Sequence, residues 1–188
     1  MDFSPMLFKR PFMASEKILV KPYKEFAKNF HIGLSDGKAK IAVRQRAKQS
    51  VFDSPPDHPF VLDLLFESTG ETEWISLEGK IDVTEIRANA RCTALISVMG
   101  SNDKPLVLDL RLNLKNGPHR DIRLGEVTPG QGNNCRAVTV SRTLEEAADV
   151  LDANEVVSAF LLVFFPVSAP EHYSLSMLNL FVTESELA

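Results

Sequence analysis

The sequence predicts an all-β protein: an antiparallel β-sandwich of about ten strands, with one short helix near residues 143–151. Three observations carry this. The first is Val156 to Phe165, VVSAFLLVFF, apolar at nearly every position and closed by Pro166. A run that does not alternate is buried on both faces, so it reads as a central core strand. The second is Leu106 to Leu114, where Leu106, Leu108, Leu110, Leu112 and Leu114 share one face and Val107, Asp109, Arg111 and Asn113 the other. The third is the spacing of turn signals between short runs, with no series of βα units to build a parallel sheet.

The elements follow in order. Residues 1–15 read as an apolar and basic tail, and 16–188 as a single domain. Phe3, Met6, Leu7, Phe8, Phe12 and Met13 are too apolar to be simply solvated. They are expected to lie on the domain or on a second subunit. Ile18 to Tyr23 is a short strand whose Pro22 suits a sheet edge. Phe30 to Val43 reads as a hairpin turning at Asp36-Gly37. Residues 53–59, DSPPDHP, form a stiff loop, because each proline forces extended geometry on its predecessor. Phe60, Leu62, Leu64 and Phe66 share a strand face. From Trp74 to Val83, Ile75, Leu77, Ile81 and Val83 point one way, and Trp74, Ser76, Glu78, Lys80 and Asp82 the other. Arg91 to Met99 is a further strand.

Residues 115–135 read as loop, with a short strand at Asp121 to Leu124, and Ala137 to Val140 as another. Thr143 to Leu151 carries the helix. Thr143 and Glu146 match a capping box, and Leu144, Ala147, Ala148 and Leu151 share one helical face. Tyr173 to Thr183 reads as a partner strand for the central run. Its apolar phase slips from Leu175 and Met177 to Leu178, Leu180 and Val182, which one extra residue near Met177 would explain as a β-bulge.

Composition narrows the function. With 188 residues and 44% hydrophobic content, the chain can bury a full core without covalent staples. Two isolated cysteines, Cys92 and Cys135, make no disulfide framework and favour a reducing compartment. Asp2 stands where a secretion signal needs positive charge, and Lys9-Arg10 breaks the apolar stretch. No run reaches the roughly 20 residues of a transmembrane helix. A cytoplasmic location is expected. Net charge is −4, unevenly placed: residues 1–50 hold 11 Lys/Arg against 4 Asp/Glu, leaving 10 against 21 in the rest. The basic segment either packs on the acidic body or forms a patch for an anionic partner. Its basic residues are dispersed without interleaved aromatics, which argues against nucleic acid.

Motifs for catalysis are missing. GEVTPGQGNN lacks the Lys-Ser/Thr of a phosphate loop, the four histidines are far apart, and no GxSxG or HExxH occurs. No carboxylate pair is singled out for glycoside hydrolysis.

Four pieces together resemble a known pattern. They are Trp74 to Asp82 with Gly79 inside, the alternating strand Leu106 to Leu114, the stretch SRTLEEAADVLDANEVVSAFLLVFFP, and YSLSMLNLFV. They resemble the jelly-roll sandwiches of the galactose-binding-like and carbohydrate-binding-module type, over about residues 60–183. The resemblance implies glycan recognition on a sheet face or at the loop rim. It also implies a structural calcium ion, for which the sequence offers no ligand cluster; no other cofactor is expected.

The candidate ligand-binding residues are Trp74, Glu78, Lys80, Asp109, Arg111 and Tyr173. Trp74, the sole tryptophan, would stack its indole on a sugar or else fill the core; its phase with Ser76, Glu78 and Lys80 favours the site. Tyr173 has the same two readings. Asp109 and Arg111, two apart on one face, would bind hydroxyls or form a solvated pair. Arg120, Asp121 and Arg123 are placed in a loop with the same capacity. The expected function is a non-catalytic carbohydrate-binding or glycan-enzyme accessory module. The alternative is a structural or assembly protein that uses its N-terminal tail and a sheet face for subunit contacts, with a homo-oligomer through residues 1–15. An enzyme with a dispersed carboxylate site is a third class.

Overall fold

The structure, a computed structural model, describes residues 8, 17–35, 39–47, 60–68, 71–132, 135–153, 155–167 and 171–184. Eleven strands occur among them: β1 (Ile18–Leu19), β2 (Phe30–Leu34), β3 (Lys40–Ala47), β4 (Phe60–Ser68), β5 (Ile75–Ile81), β6 (Ala90–Gly100), β7 (Leu106–Leu114), β8 (Arg120–Val127), β9 (Arg136–Thr143), β10 (Val156–Phe165) and β11 (Glu171–Glu184). They form two sheets, of order β1-β3-β4-β11-β6-β9 and β2-β5-β10-β7-β8, with every named strand pair antiparallel.

Alternation explains the sandwich. Leu62, Leu64 and Phe66 of β4, Ile96 and Val98 of β6 and Leu175, Leu178 and Leu180 of β11 line one inner face. Leu77 of β5, Leu108, Leu110 and Leu112 of β7 and Leu161 and Val163 of β10 line the other. The two sets are packed into one continuous core, the main source of stability in such a fold.

The apolar run Val156 to Phe165 is the middle strand of the five-stranded sheet, hydrogen-bonded to β5 and β7. The strand expected over Ile18 to Tyr23 is confined to Ile18–Leu19, at the edge of the six-stranded sheet. The bulge in β11 falls between Leu175 and Met177.

Several expectations are corrected. Phe30 to Val43 is no hairpin: β2 pairs with β5 in one sheet, and β3 with β1 and β4 in the other. β11 likewise lies opposite β10 and pairs with β4 and β6. Alternation fixes which side of a strand meets the core, and a strand satisfies it from either layer. Residues 120–127 form a full strand, so Arg120, Asp121 and Arg123 are strand residues and not loop residues. Thr143 ends β9, and the helix shrinks to a 3₁₀ turn (Glu145–Ala147) and α1 (Ala148–Asp152). No side chain caps either piece, so the capping box is not formed. The Asp36-Gly37 turn and residues 53–59 lie outside the described residues.

Phe8 is 0% exposed and belongs to the core, and its carbonyl accepts a 3.0 Å hydrogen bond from the Phe60 amide. One aromatic of the first fifteen residues therefore packs on the chain's own domain. Phe12 lies outside the described residues. No helix among the described residues is long and apolar enough to cross a membrane.

Candidate functional site

The outer face of the five-stranded sheet is built by the residues that alternate away from the core. Register places Ser76 beside Phe164, Glu78 beside Leu162, and Lys80 beside Phe160. On the other side of β10, Val107 meets Phe164, Asp109 meets Leu162, and Arg111 meets Phe160. β8 adds Arg123 opposite Asp109 and Asp121 opposite Arg111, and β2 adds His31 opposite Glu78. Five of the six sequence-predicted residues thus belong to one region: Glu78, Lys80, Asp109 and Arg111 on this face, and Trp74 at its end, just before β5.

The middle of the face is sunk below its surroundings. Leu162 is 0% exposed, Glu78 5% and Asp109 7%, although all three point away from the core. Rings stand at both ends. Trp74 lies edge-to-face on Phe164, with centroids 6.0 Å apart. His31 lies edge-to-face on Phe160 at 5.6 Å and has Tyr23 at 6.1 Å on its other side. Phe160 and Phe164 are four residues apart on one strand face, which sets the two ring clusters about 13 Å apart.

Hydrogen bonds fix the polar floor. Glu78 receives His31 Nε2 at 2.9 Å and the Ser76 hydroxyl at 2.7 Å. Burial would raise the Glu78 carboxyl, but these bonds and the His31 charge outweigh it and hold the carboxyl below its ordinary value. Asp109 accepts from Arg123 Nε at 2.6 Å, yet burial dominates and pushes its carboxyl up. Arg111 forks onto Asp121 at 2.8 and 2.7 Å, and that bond raises the guanidinium further above neutral pH. Asp109 and Arg111 therefore do not pair with each other; each finds its ion partner on β8. Lys80 is exposed, and its ammonium makes no hydrogen bond or ion pair among the described residues.

Tyr173 leaves the candidate set. It sits on the inner face of β11, 0% exposed, with its ring against Phe66 and Phe165. Its hydroxyl donates to Glu171 at 2.6 Å and accepts from Asn102 at 3.2 Å. A ring held in the core has no face to offer a ligand.

Sequence reasoning missed Phe160, Phe164, His31 and Tyr23. The signal for the two phenylalanines was the even-numbered phase of Phe160, Leu162 and Phe164, masked by a run apolar on both sides. His31 and Tyr23 give no such signal, since β2 reaches β5 only through the sheet. Among the described residues, no group of three or more His, Cys, Asp or Glu is placed to hold a metal ion. Cys92 and Cys135 form no disulfide among the described residues.

No family model matches the sequence, and no curated protein matches it. Solved structures do. A Stig cyclase, Fisc, from Fischerella sp. TAU, in complex with (3Z)-3-(1-methyl-2-pyrrolidinylidene)-3H-indole, aligns over 96% of this chain and 95% of its own, at 12% identity and a TM-score of 0.61. The CBM22-1 xylan-binding domain from Paenibacillus barcinonensis aligns over 94% and 100%, at 11% identity and a TM-score of 0.55. A C-terminal family 22 carbohydrate-binding module from Clostridium thermocellum aligns over 91% and 95%, at 10% identity and a TM-score of 0.52. The fold is that of the carbohydrate-binding-module sandwiches, as the strand pattern implied, and the cyclases share it.

Proposed function

We propose that the outer face of the five-stranded sheet binds an oligosaccharide, and that the protein is a non-catalytic glycan-binding or accessory module. The observation that supports this most is the arrangement along β10. Two ring clusters about 13 Å apart flank a buried polar floor of Glu78 and Asp109. The apolar faces of sugars stack on rings, while their hydroxyls need fixed donors and acceptors between the stacking points. Neighbours of the same fold include proteins named for carbohydrate binding, one of them for xylan.

Trp74 is the sole tryptophan, so emission reports on one end of the face. Titration with neutral xylo- and galacto-oligosaccharides should shift it saturably, and calorimetry on the same samples should give a matching affinity. Trp74→Ala should abolish binding with little change in melting, since the ring is only partly buried. Absence of both a shift and heat with every sugar would reject the reading.

A second reading rests on Asp109. A buried carboxyl raised by its surroundings suits a proton donor, and such a residue on this face would make it an active site. Release of a new product from any bound sugar, lost in Asp109→Asn, would decide for that class. The assembly reading expects Phe8, Phe12 and their neighbours against another subunit; of these, Phe8 is filled into the chain's own core, and Phe12 lies outside the described residues.

A further inference from the structure

Most charged groups of the outer face have partners. Glu78 is hydrogen-bonded to His31, Asp109 is matched by Arg123, and Arg111 by Asp121. The Lys80 ammonium has no ion pair among the described residues, and it stands beside Phe160, at the end away from Trp74.

Lys80 also lines a cleft of about 400 Å³ with Asn29, Asp82, Val83, Val157 and Ser158. Two of those residues supply uncharged polar groups. The Asn29 side-chain amide makes no hydrogen bond among the described residues, and the Ser158 hydroxyl accepts from Asn113 at 2.9 Å and keeps its own proton to donate. Asp82 is turned to local use: one of its oxygens accepts both the amide and the hydroxyl of Thr84, at 3.0 and 2.8 Å. The cleft therefore offers one ammonium, one amide and one hydroxyl, beside a ring and beside the carboxylate that Thr84 holds.

We infer that this cleft is the terminal subsite of the glycan face, and that it takes the carboxylate of an acidic sugar, a uronate. The inference rests on the glycan reading of that face. A carboxylate carries one charge and accepts several hydrogen bonds, matching one ammonium with neutral donors around it. A phosphate monoester, nearly doubly charged, would need a second cation, and Lys80 is the one cationic side chain lining the cleft among the described residues. Phe160, opposite Lys80 in the sheet register and edge-to-face with His31, puts a ring next to the charge.

Calorimetry on the full chain tests this with paired probes: xylotetraose against aldotetraouronic acid, and β-1,4-galactotetraose against tetragalacturonic acid. The acidic member of at least one pair should bind about fivefold tighter, the scale of one solvent-accessible ion pair. The gain should shrink as salt rises. Lys80→Gln should bring the acidic sugar's affinity down to that of its neutral partner, and Lys80→Arg should restore much of the difference. Lys80 is exposed, so both variants should fold. Neutral sugars that bind with no acidic preference, or a preference that survives Lys80→Gln, would overturn this inference and leave the glycan reading intact. Binding of no sugar at all would overturn both.

Discussion

Asp63 shows how one residue can hold three strands and set a pH limit. It is fully buried on the outer face of the six-stranded sheet. Arg44 donates to one of its oxygens through Nε and a terminal nitrogen, at 3.2 and 2.8 Å, and Arg46 Nε adds a third bond at 2.8 Å. The Ser174 hydroxyl donates to the other oxygen at 2.7 Å, with His172 Nε2 3.4 Å away. Burial alone would raise this carboxyl. The bonds from His172, Ser174, Arg44 and Arg46 outweigh it and hold the group far below the ordinary carboxylate range. A lowered folded pKa contributes stability above the unfolded value of about 3.9, and that contribution is lost as pH falls toward the folded one. Urea melts should show wild type losing stability from about pH 5 downward. Asp63→Asn should be less stable at pH 7 by roughly 3–5 kcal/mol, the cost of breaking a buried pair, and its profile should be flatter in acid. Equal acid slopes in the two proteins would show that other carboxylates govern the limit. This network also absorbs Arg44 and Arg46 from the basic N-terminal segment: they pack against the body, the plainer of the two readings of that charge.

At the level of elements, periodicity was legible wherever a strand had one wet face. β5 and β7 read cleanly, and so the floor residues Glu78 and Asp109 were found. β8 was harder to see, although its phase slip was present. Ile122 and Leu124 point inward, then Val127, and the register breaks between Leu108 and Asp109 opposite them. A bulge there keeps Glu126 outside and Val127 in the core. Surrounding glycines and prolines made the stretch look like turns. β2 carries a further constraint. A Cβ on Gly33 would run into the Glu78 carboxylate and come within 2.7 Å of the Ser76 hydroxyl. The missing side chain is what lets Glu78 lie across β2 toward His31. Gly33→Ala should displace Glu78, cost roughly 1–3 kcal/mol in melts through the disturbed buried hydrogen bonds, and weaken oligosaccharide binding more than Lys80→Gln weakens neutral binding. Unchanged affinity in a folded Gly33→Ala protein would remove Glu78 from the site.

For the whole molecule, the fold class was legible and the layer of each strand was not. Leu34 and Ile41 both read as core residues, and both are, but they enter the core from opposite sheets. The same holds for Val163 and Leu175. Hydrophobic pattern records burial, while the choice of layer is settled by pairings distant in sequence, such as β2 with β5 and β4 with β11. The ring clusters depend on those pairings, which is why His31 and Phe160 could not be matched beforehand. Phe8 extends the argument to the first residues of the chain. Its ring is fully buried in the shared core, and its carbonyl holds the amide of Phe60 at the start of β4. Emptying that space should cost about 3–5 kcal/mol, as for other buried phenylalanines. In a chain of this length each kcal/mol moves the melting point by about 2–4 °C, so Phe8→Ala should melt on the order of 10 °C lower. Its solution mass should equal that of wild type, because Phe8 is buried in the chain's own core. A variant that melts like wild type but changes its oligomeric state would restore the assembly role to this segment. One that melts lower at unchanged mass fixes Phe8 as part of the sandwich core.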